Sequence, residues 1–322
     1  LSMKTLQLLF TLLSLVSVQQ STAQEVPKCP STPYLIVSPG GYDHTRYAPS
    51  QQERLFDGGS FIASIDGEDD DNGDNVEDYL VQPTWVASHI KAYQADRPSG
   101  YAPAFKRPSP WYRLKFFDEE REYFKSKKRI DDSYRGVGNT WNRGHLAQRA
   151  DANRIAPEYG CNTHVFANAV PQRASLNQGI WLGLENYISS LANQKGEVWV
   201  VTGPIFSKNS KLETIGDAGE IPVPIPDQIF KVVFMESNAG VQVLSFIYDN
   251  KYDYTPPEYK SGRCQSDLRY DHTPFLVSLA DVERATGLTF FGDIDQDLSD
   301  FKEQRASRLP ALEADNHVGY CL

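Results

Sequence analysis

The residues best suited to proton transfer lie in one short segment, 141–146, which reads W-N-R-G-H-L. His145 has an ordinary pKa near ~6.5, so a neutral imidazole is available at neutral pH to take a proton from water. Arg143 carries a planar guanidinium fork that suits phosphate oxygens and can neutralise their charge in a transition state. We therefore predict His145 to be a general base and Arg143 a phosphate-binding catalytic residue.

The context of His145, rather than its residue type, supports a catalytic role. A single histidine is more often a hydrogen-bonded structural residue. We predict that structural role for the remaining five histidines, which are His44, His89, His164, His272 and His317.

A second group of candidates lies on a predicted helix that must position them. Asn177, Trp181 and Glu185 are spaced by four residues, so they share one side of a helix. Apolar residues recur between them at helical spacing. Ser175, with a glutamine three residues later, fits a capping box. We therefore predict a helix over about residues 176–193 that begins with a side-chain cap.

The other predicted elements are short strands and one further helix. The strands are predicted at 165–170, 197–202, 229–235 and 241–248, with a hairpin turn at 237–240 and a helix at 278–286 that ends at Gly287. Strands and helices are mixed without a regular βαβ alternation. The sequence therefore predicts an α+β fold with a largely antiparallel sheet and flanking helices.

The candidate residues belong to blocks that resemble a known family. The blocks are N-R-G-H at 142–145, N-A-V-P-Q at 168–172, N-Q-G-I-W at 177–181 and L-E at 184–185, with further similar segments at 134–136, 201–204, 230–233 and 281–288. This order and spacing resemble the DNA/RNA non-specific endonucleases, a ββα-metal group that includes a secreted bacterial nuclease and mitochondrial endonuclease G. The resemblance covers about residues 80–295.

The resemblance implies a fold, a cofactor and roles for individual residues. It implies a ββα-metal nuclease fold and a Mg²⁺ cofactor, with Mn²⁺ as the substitute ion. Asn177 would ligate the metal, and Glu185 would hold metal-bound waters. Asn168 would orient His145 and the water molecules around it. Substrate contacts are expected from Arg135, Asn142 and Gln172.

Two positions depart from the family pattern. Asn142 stands where the family usually has an aspartate, which removes one negative charge from the site. This N-R-G-H form is similar to that of secreted arthropod members. Ser189 stands one turn after Glu185, where some bacterial members carry an arginine that contacts substrate. Another residue of this chain must therefore make the substrate contacts that the arginine makes in those members.

The net charge of −10 is unusual for an enzyme that acts on nucleic acid, but the charges are unevenly distributed. Segment 66–78 holds eight acidic residues and no basic one. Segment 121–173 holds ten basic residues against five acidic ones and contains His145. Basic residues neutralise phosphates, so this segment is the expected substrate-binding region. The acidic run is predicted to be a solvated loop.

The N-terminus and the cysteines predict export. A lysine, a short apolar core and small residues over 1–23 are typical of a signal peptide, and no later segment is apolar enough for a membrane anchor. We expect an N-terminal extension at 24–80 and the nuclease domain at 81–322. The chain contains four cysteines, Cys29, Cys161, Cys264 and Cys321. In an oxidising compartment they predict two disulfides, in any of three pairings.

The sequence therefore predicts a secreted, Mg²⁺-dependent endonuclease that hydrolyses DNA, and RNA as well, with little sequence specificity and no obligate protein partner. The alternative is a secreted nucleic-acid-binding protein that has the nuclease fold and little residual activity. Loss of His145, Asn177 or Glu185 would favour that alternative, and all three are present.

Overall fold

A seven-stranded antiparallel sheet forms the centre of the structure. The computed structural model describes residues 26–52, 54–65, 82–93, 105–113, 130–207, 212–254, 270–294 and 296–313. The predicted signal peptide, the acidic run, Cys264 and Cys321 lie outside these residues.

The sheet has the strand order β1-β2-β3-β6-β9-β10-β11. Its strands are β1 (Arg54–Asp57), β2 (Ile62–Ile65), β3 (Pro83–Lys91), β6 (Glu197–Ile205), β9 (Gln228–Ser237), β10 (Gly240–Asp249) and β11 (Leu276–Val277). Two short ribbons lie outside the sheet. They are β4 (Trp141–His145) paired with β5 (Ala169–Arg173), and β7 (Thr214–Ile215) paired with β8 (Val223–Pro224).

The helices of the described residues flank the sheet. They are α1 (Ile130–Ser133), α2 (Arg149–Ile155), α3 (Pro157–Asn162), α4 (Trp181–Lys195), α5 (Leu279–Thr286) and α6 (Ser299–Glu303). A π-helical turn, Leu176–Ile180, leads into α4, and 3₁₀ turns occur at Phe166–Asn168 and Thr273–Phe275. Among the described residues, none of these helices is long and apolar enough to cross a membrane.

Side chains of the sheet alternate between two hydrophobic cores, because successive residues of a strand point to opposite faces. In β6, Val198 and Val200 belong to the core shared with α4 and the β4–β5 ribbon. Trp199 and Val201 belong to the opposite core, which is covered by α5. Both faces of the sheet are therefore buried, and burying each large side chain contributes roughly 1.5–3 kcal/mol.

Two regions of the chain confirm the predictions from sequence. Strands β9 and β10 form the predicted hairpin, with Ser237 opposite Gly240 at the turn. Helix α5 begins at a capping box between Ser278 and Asp281. It ends at Gly287, whose φ of 78° is the left-handed conformation that glycine adopts at low cost. The α+β class with an antiparallel sheet is also confirmed.

Two predicted elements differ from the structure. Residues 166–168 form a 3₁₀ turn, and the strand begins only at Ala169, because it pairs with the short strand β4. The capping box at Ser175 is wrong. Ser175 has helical dihedral angles, and its hydroxyl donates to Asp253 Oδ1 at 3.1 Å, so it caps no helix.

Candidate active site

An open cleft of about 680 Å³ lies where the β4–β5 ribbon meets the start of α4. The predicted site residues that line it are Asn142, Arg143, His145, Asn177 and Glu185. Residues that were not predicted also line it, among them Arg107, Trp111, Tyr134, Gln148, Arg149 and Asn153. The structure therefore brings together residues that are up to 78 positions apart in the sequence, from Arg107 to Glu185.

His145 is the last residue of β4, and its ring is partly buried in this cleft. Its Nε2 atom is buried and has no hydrogen-bond partner among the described residues. Since Nε2 is buried, Nδ1 is the ring nitrogen through which His145 can exchange a proton with the cleft. Burial lowers the pKa of His145 well below its ordinary value, and the charges of Arg107 and Arg149 add to this effect. The imidazole is therefore neutral at neutral pH.

Glycine is required before His145 by a close packing contact. A Cβ atom at Gly144 would lie 2.3 Å from Gln172 Oε1. The ring of His145 packs against Trp111 at 4.7 Å and against His164 at 4.9 Å between ring centroids. These contacts restrict the orientation of the imidazole.

Arg143 lies on the same strand and is held by an acidic residue and two aromatic rings. Its NH2 group is 2.8 Å from Asp131 Oδ1. The guanidinium carbon lies 5.1 Å from the ring of Tyr134 and 5.7 Å from that of Trp111. Arg143 is therefore oriented in the cleft, but part of its positive charge is neutralised by Asp131.

Asn142 joins the ribbon to the turn before α4 through its side-chain amide. Its Oδ1 accepts hydrogen bonds from Asn177 Nδ2 at 3.0 Å and Gln178 Nε2 at 2.7 Å. Its Nδ2 donates to the carbonyl of Gly138 at 2.7 Å. An aspartate could accept the first two bonds but could not donate the third. The family departure at this position therefore has a structural role.

The π-helical turn before α4 determines which side chains reach the cleft. Gly179 inside this turn has non-helical dihedral angles. Asn177 and Glu185 both line the cleft, as their spacing predicts. Trp181, predicted on the same side, is instead fully buried beneath it. The wide turn changes the spacing between Asn177 and the residues of α4, and the three residues do not form one exposed row.

Glu185 lies above a buried lysine that the sequence did not single out. Lys231 of β9 is 3% exposed, and its ammonium donates to Thr202 Oγ1 at 2.9 Å and to the carbonyl of Leu146 at 3.3 Å. Burial raises the pKa of Glu185 and lowers that of Lys231, while the attraction between their opposite charges acts against both shifts. A buried ammonium therefore favours the ionised form of Glu185.

The donor atoms of the cleft fit a hard divalent cation. The Nδ2 group of Asn177 is used by Asn142, which leaves its Oδ1 atom for a ligand. Glu185 adds carboxylate oxygens to the same cleft. Amide and carboxylate oxygens, completed by water, are the ligands that Mg²⁺ prefers.

Three predicted site residues do not line the cleft. Asn168 is fully buried, and its amide bonds the backbone of Ala147 and Thr163 at 2.8–3.0 Å, so it holds the chain just after His145. Gln172 is buried beneath Gly144. Arg135 forms an ion pair with Asp132 and does not face the cleft. The predicted substrate contacts of Gln172 and Arg135 therefore do not agree with their positions.

Ser189 replaces the bacterial arginine with a buried hydrogen-bond network. Its hydroxyl donates to Asp151 Oδ1 at 2.6 Å and accepts from Gln148 Nε2 at 2.7 Å. Arg154 donates to the carbonyl of Ser189 at 3.0 Å and is paired with Asp151. Ser189 is thus a structural residue that packs α4 against α2.

Sequence reasoning missed Arg107, Trp111, Arg149 and Lys231. Arg107 and Trp111 lie in a Pro-rich stretch for which the sequence carries no motif. Arg149 was counted in the basic segment, and its position four residues after His145 was the available signal. Lys231 carries no signal by itself, except that a lysine inside an apolar strand is unusual.

One of the predicted disulfides lies close to the site. Cys29 and Cys161 are bonded, with their Cα atoms 5.6 Å apart. The bond links the N-terminal segment to α3, which leads directly into the His164 region. The Cys29–Cys161 bond occurs in one of the three pairings that the sequence left open.

The fold and the cleft together define a class of protein. An antiparallel ribbon ending in His145, followed by a helix that presents Glu185, is the arrangement of a ββα-metal nuclease. A family model described as DNA/RNA non-specific endonuclease matches residues 75–297. The chain belongs to the DNA/RNA non-specific endonuclease family.

Individual relatives agree with this assignment. The mitochondrial nuclease EXOG of Xenopus laevis is 27% identical over 226 residues, which cover 67% of this chain and 55% of that protein. The mitochondrial endonuclease G of Bos taurus is 29% identical over 184 residues, which cover 55% of this chain and 56% of that protein. The chain thus spans about half the length of these curated relatives. A crystal structure of EndoG with EndoGI shares the fold, with a TM-score of 0.54 at 22% identity, over 76% of this chain and 88% of that chain.

The relatives correct one prediction. The sequence predicted an extracellular protein, whereas the frog and cattle relatives are named as mitochondrial nucleases. The predicted secreted location is therefore wrong by this comparison. The apolar N-terminus and the even number of cysteines were its basis, and neither identifies one compartment without further information.

Proposed function

We propose that this chain is a Mg²⁺-dependent endonuclease that hydrolyses phosphodiester bonds of DNA and RNA with little sequence specificity. The observation that carries this proposal is a neutral, partly buried His145 in one cleft with three arginines and the oxygens of Asn177 and Glu185. A proton acceptor, positive charges for a phosphate and hard-cation ligands are the parts that such hydrolysis requires.

The reaction that we propose begins with proton transfer. His145 takes a proton from a water molecule as the water oxygen attacks the phosphorus atom. One phosphorus–oxygen bond of the nucleic-acid backbone then breaks, and the leaving oxygen takes a proton from water. Trp111 and His164 hold the ring, and Asn168 holds the backbone that follows it. General-base assistance of this kind contributes typically about 10²–10⁴-fold in rate.

Charge on the phosphate is balanced by the other cleft residues. Arg143 faces the cleft and offers guanidinium donors to the phosphate oxygens as negative charge develops. Asn177 and Glu185 would hold Mg²⁺, or Mn²⁺ in its place, directly or through water. When bound, that ion would supply positive charge near the leaving oxygen. The charge of Lys231 opposes the rise that burial causes in the pKa of Glu185.

Lack of sequence specificity follows from the character of the cleft. The residues that we assign to substrate contact bind phosphate, and phosphate contacts carry no base information. A binding protein without activity is the alternative, but it would not require a neutral histidine beside metal-ligating oxygens.

The decisive experiment incubates purified protein with plasmid DNA, single-stranded DNA and RNA, in Mg²⁺ and in excess EDTA. We expect internal cleavage of all three substrates in Mg²⁺ and none in EDTA. Equal cleavage in EDTA would contradict the metal requirement. Tight binding without cleavage in Mg²⁺ would support the alternative.

A further inference from the structure

The three arginines of the cleft differ in how their charge is neutralised. Arg143 is paired with Asp131 at 2.8 Å. Among the described residues, neither Arg107 nor Arg149 has a carboxylate within ion-pair distance, although Glu185 lines the same cleft. The cleft therefore contains two guanidinium groups whose charge is not balanced by any carboxylate of the described residues.

Arg149 is nevertheless held in a defined position. It is the first residue of α2 and lies four residues after His145. One of its NH2 groups donates to the carbonyl of Phe105, and its Nε atom is buried without a partner in the described part of the chain. The Nε atoms of Arg143 and Arg154 are unpartnered in the same way, so the feature particular to Arg149 is that the rest of its guanidinium lines the cleft and makes no ion pair with the described residues.

Charge repulsion makes an anion the favoured ligand. Burial and the charge of Arg107 lower the pKa of the Arg149 guanidinium, which shows that two positive groups face the same space. An anion between them would remove this repulsion and satisfy their free donors. Arg154, on the same helix, differs in its charge balance, since it is paired with Asp151 and donates to the carbonyls of Lys91 and Ser189, although its Nε also lacks a hydrogen-bond acceptor.

Arg149 and Arg143 are anchored to different segments of the cleft wall. Arg149 donates to the carbonyl of Phe105, whereas Arg143 is paired with Asp131 and lies 5.1 Å from the ring of Tyr134. A cleft of about 680 Å³ is also larger than one phosphate group requires. The cleft thus holds Arg143 and Arg149 at two different anchoring points, with room for more than one phosphate group.

We propose that Arg149 binds the phosphate next to the one that is cleaved, so that the cleft engages at least two consecutive phosphodiesters of one strand. This inference rests on the proposed function for the identity of the anion. Arg149 is a substrate-binding residue in this scheme, and His145 and Arg143 act on the scissile phosphate.

The first test measures binding without cleavage. A fluorescent single-stranded 12-nucleotide DNA is titrated in EDTA at several salt concentrations. The logarithm of the association constant falls with the logarithm of salt by about 0.7 for each phosphate contact on a single strand. We expect Arg149→Gln to reduce this slope by about 0.7. Arg149→Lys, which keeps the charge, should retain the wild-type slope.

A matched control removes the same charge elsewhere. Arg284→Gln lies on α5 across the sheet, where Arg284 pairs with Asp281 and Glu303, and it should leave the slope unchanged. Thermal melting of all three variants verifies folding. An unchanged slope for folded Arg149→Gln would overturn the proposal, even if the protein cleaves DNA. A reduced slope would support it, even if no cleavage is found.

The second test separates the neighbouring phosphate from the scissile one. With Mg²⁺ and an oligonucleotide substrate, Arg149→Gln should raise KM by roughly tenfold and leave kcat within about twofold. A contact with the scissile phosphate would instead lower kcat. A fall of kcat with an unchanged KM would therefore overturn the assignment to the adjacent phosphate.

Discussion

Two histidine clusters lie on opposite faces of the central sheet, and their hydrogen bonding differs. On the face covered by α5, His44 Nε2 contacts the carbonyl of Gly59 at 3.2 Å, and His44 Nδ1 accepts from the backbone N–H of His89 at 2.9 Å. His89 Nδ1 accepts from the N–H of Asp43 at 3.1 Å, and its Nε2 lies 2.9 Å from Glu197 Oε2. All four ring nitrogens of this cluster have partners.

On the cleft face the two histidine rings are not fully paired. His164 uses Nδ1 for the carbonyls of Gly160 and Cys161 at 3.1–3.2 Å. The buried Nε2 atoms of His145 and His164 have no partner among the described residues. Both clusters are buried and aromatic, so burial does not distinguish them. The difference lies at Nδ1 of His145, which lines the cleft and makes no hydrogen bond with the described residues. A fully paired imidazole such as that of His44 or His89 has no nitrogen left for proton transfer.

The largest effect is expected from His145→Ala. Removal of the general base should lower the cleavage rate by about two to four decades. The protein should still fold, because Nε2 has no hydrogen bond to lose among the described residues and the loss is confined to packing against Trp111 and His164. Initial rates on plasmid DNA and urea unfolding curves measure the two quantities. Activity within threefold of the wild type would end the catalytic assignment of the cleft cluster.

The next effect concerns the metal. Asn177→Ala removes the amide oxygen proposed as the ligand, and we expect the Mg²⁺ concentration for half-maximal activity to rise by about 10–100-fold. Asn186→Ala, on the same helix but away from the cleft lining, is the matched control and should behave as wild type. Similar Mg²⁺ dependence in both variants would argue against ligation by Asn177.

Acid should destabilise both clusters. Burial lowers the pKa of His44 to about 4 and that of His164 to about 3, against about 6.5 in the unfolded chain. Below pH 6.5 the unfolded chain therefore binds protons that the folded protein does not. Stability is complete above that pH and falls towards pH 4, by up to about 1.4 kcal/mol per pH unit for each histidine.

Urea midpoints at pH 7.5, 6 and 5 measure this acid effect. Glu185 has the opposite effect, because burial raises its pKa and the folded protein therefore binds this proton more readily than the unfolded chain. It is one group against several histidines. His44→Ala should have a shallower pH dependence than the wild type, because one histidine no longer contributes. A midpoint that stays constant from pH 7.5 to pH 5 would refute the expected linkage.

The smallest effect on activity is expected from His89→Ala. This change leaves the N–H of Asp43 unpaired and removes the stacking of His89 on Trp199 at 4.4 Å between ring centroids. We expect a loss of about 2–3 kcal/mol in the free energy of unfolding. Cleavage by the folded fraction should remain near the wild-type rate. A loss of activity comparable with that of His145→Ala, in folded protein, would remove the distinction between the clusters.

Local patterns predicted the elements whose determinants are local. The β9–β10 hairpin and the cap of α5 depend on residues within a few positions of each other, and both agree with the structure. The start of α4 does not. Asn177 and Ser175 bond to Asn142 and Asp253, which are 35 and 78 positions away in the sequence. A window of neighbouring residues holds no information on such partners.

In the candidate site, too, the residues within short motifs were predicted and those that depend on tertiary contacts were not. His145, Asn177 and Glu185 were predicted because their motifs are short and ordered. Arg149 and Lys231 act through charge and burial that only the assembled fold creates. Arg135 and Gln172 were assigned by the resemblance, but tertiary packing places one in an ion pair and buries the other.

The β4–β5 ribbon carries His145 yet is separate from the seven-stranded sheet. Within the described residues, two side chains hydrogen-bond this region to the sheet. Lys231 of β9 donates to the carbonyl of Leu146, just after β4, and Asn250, just after β10, bonds to Pro171 and Arg173 of β5. Local opening of the ribbon therefore breaks no ladder of the sheet and costs less than global unfolding. Its amides should exchange with solvent deuterium sooner than those of β6 and β9. On warming, the catalytic module would then lose its order while the sheet is still intact.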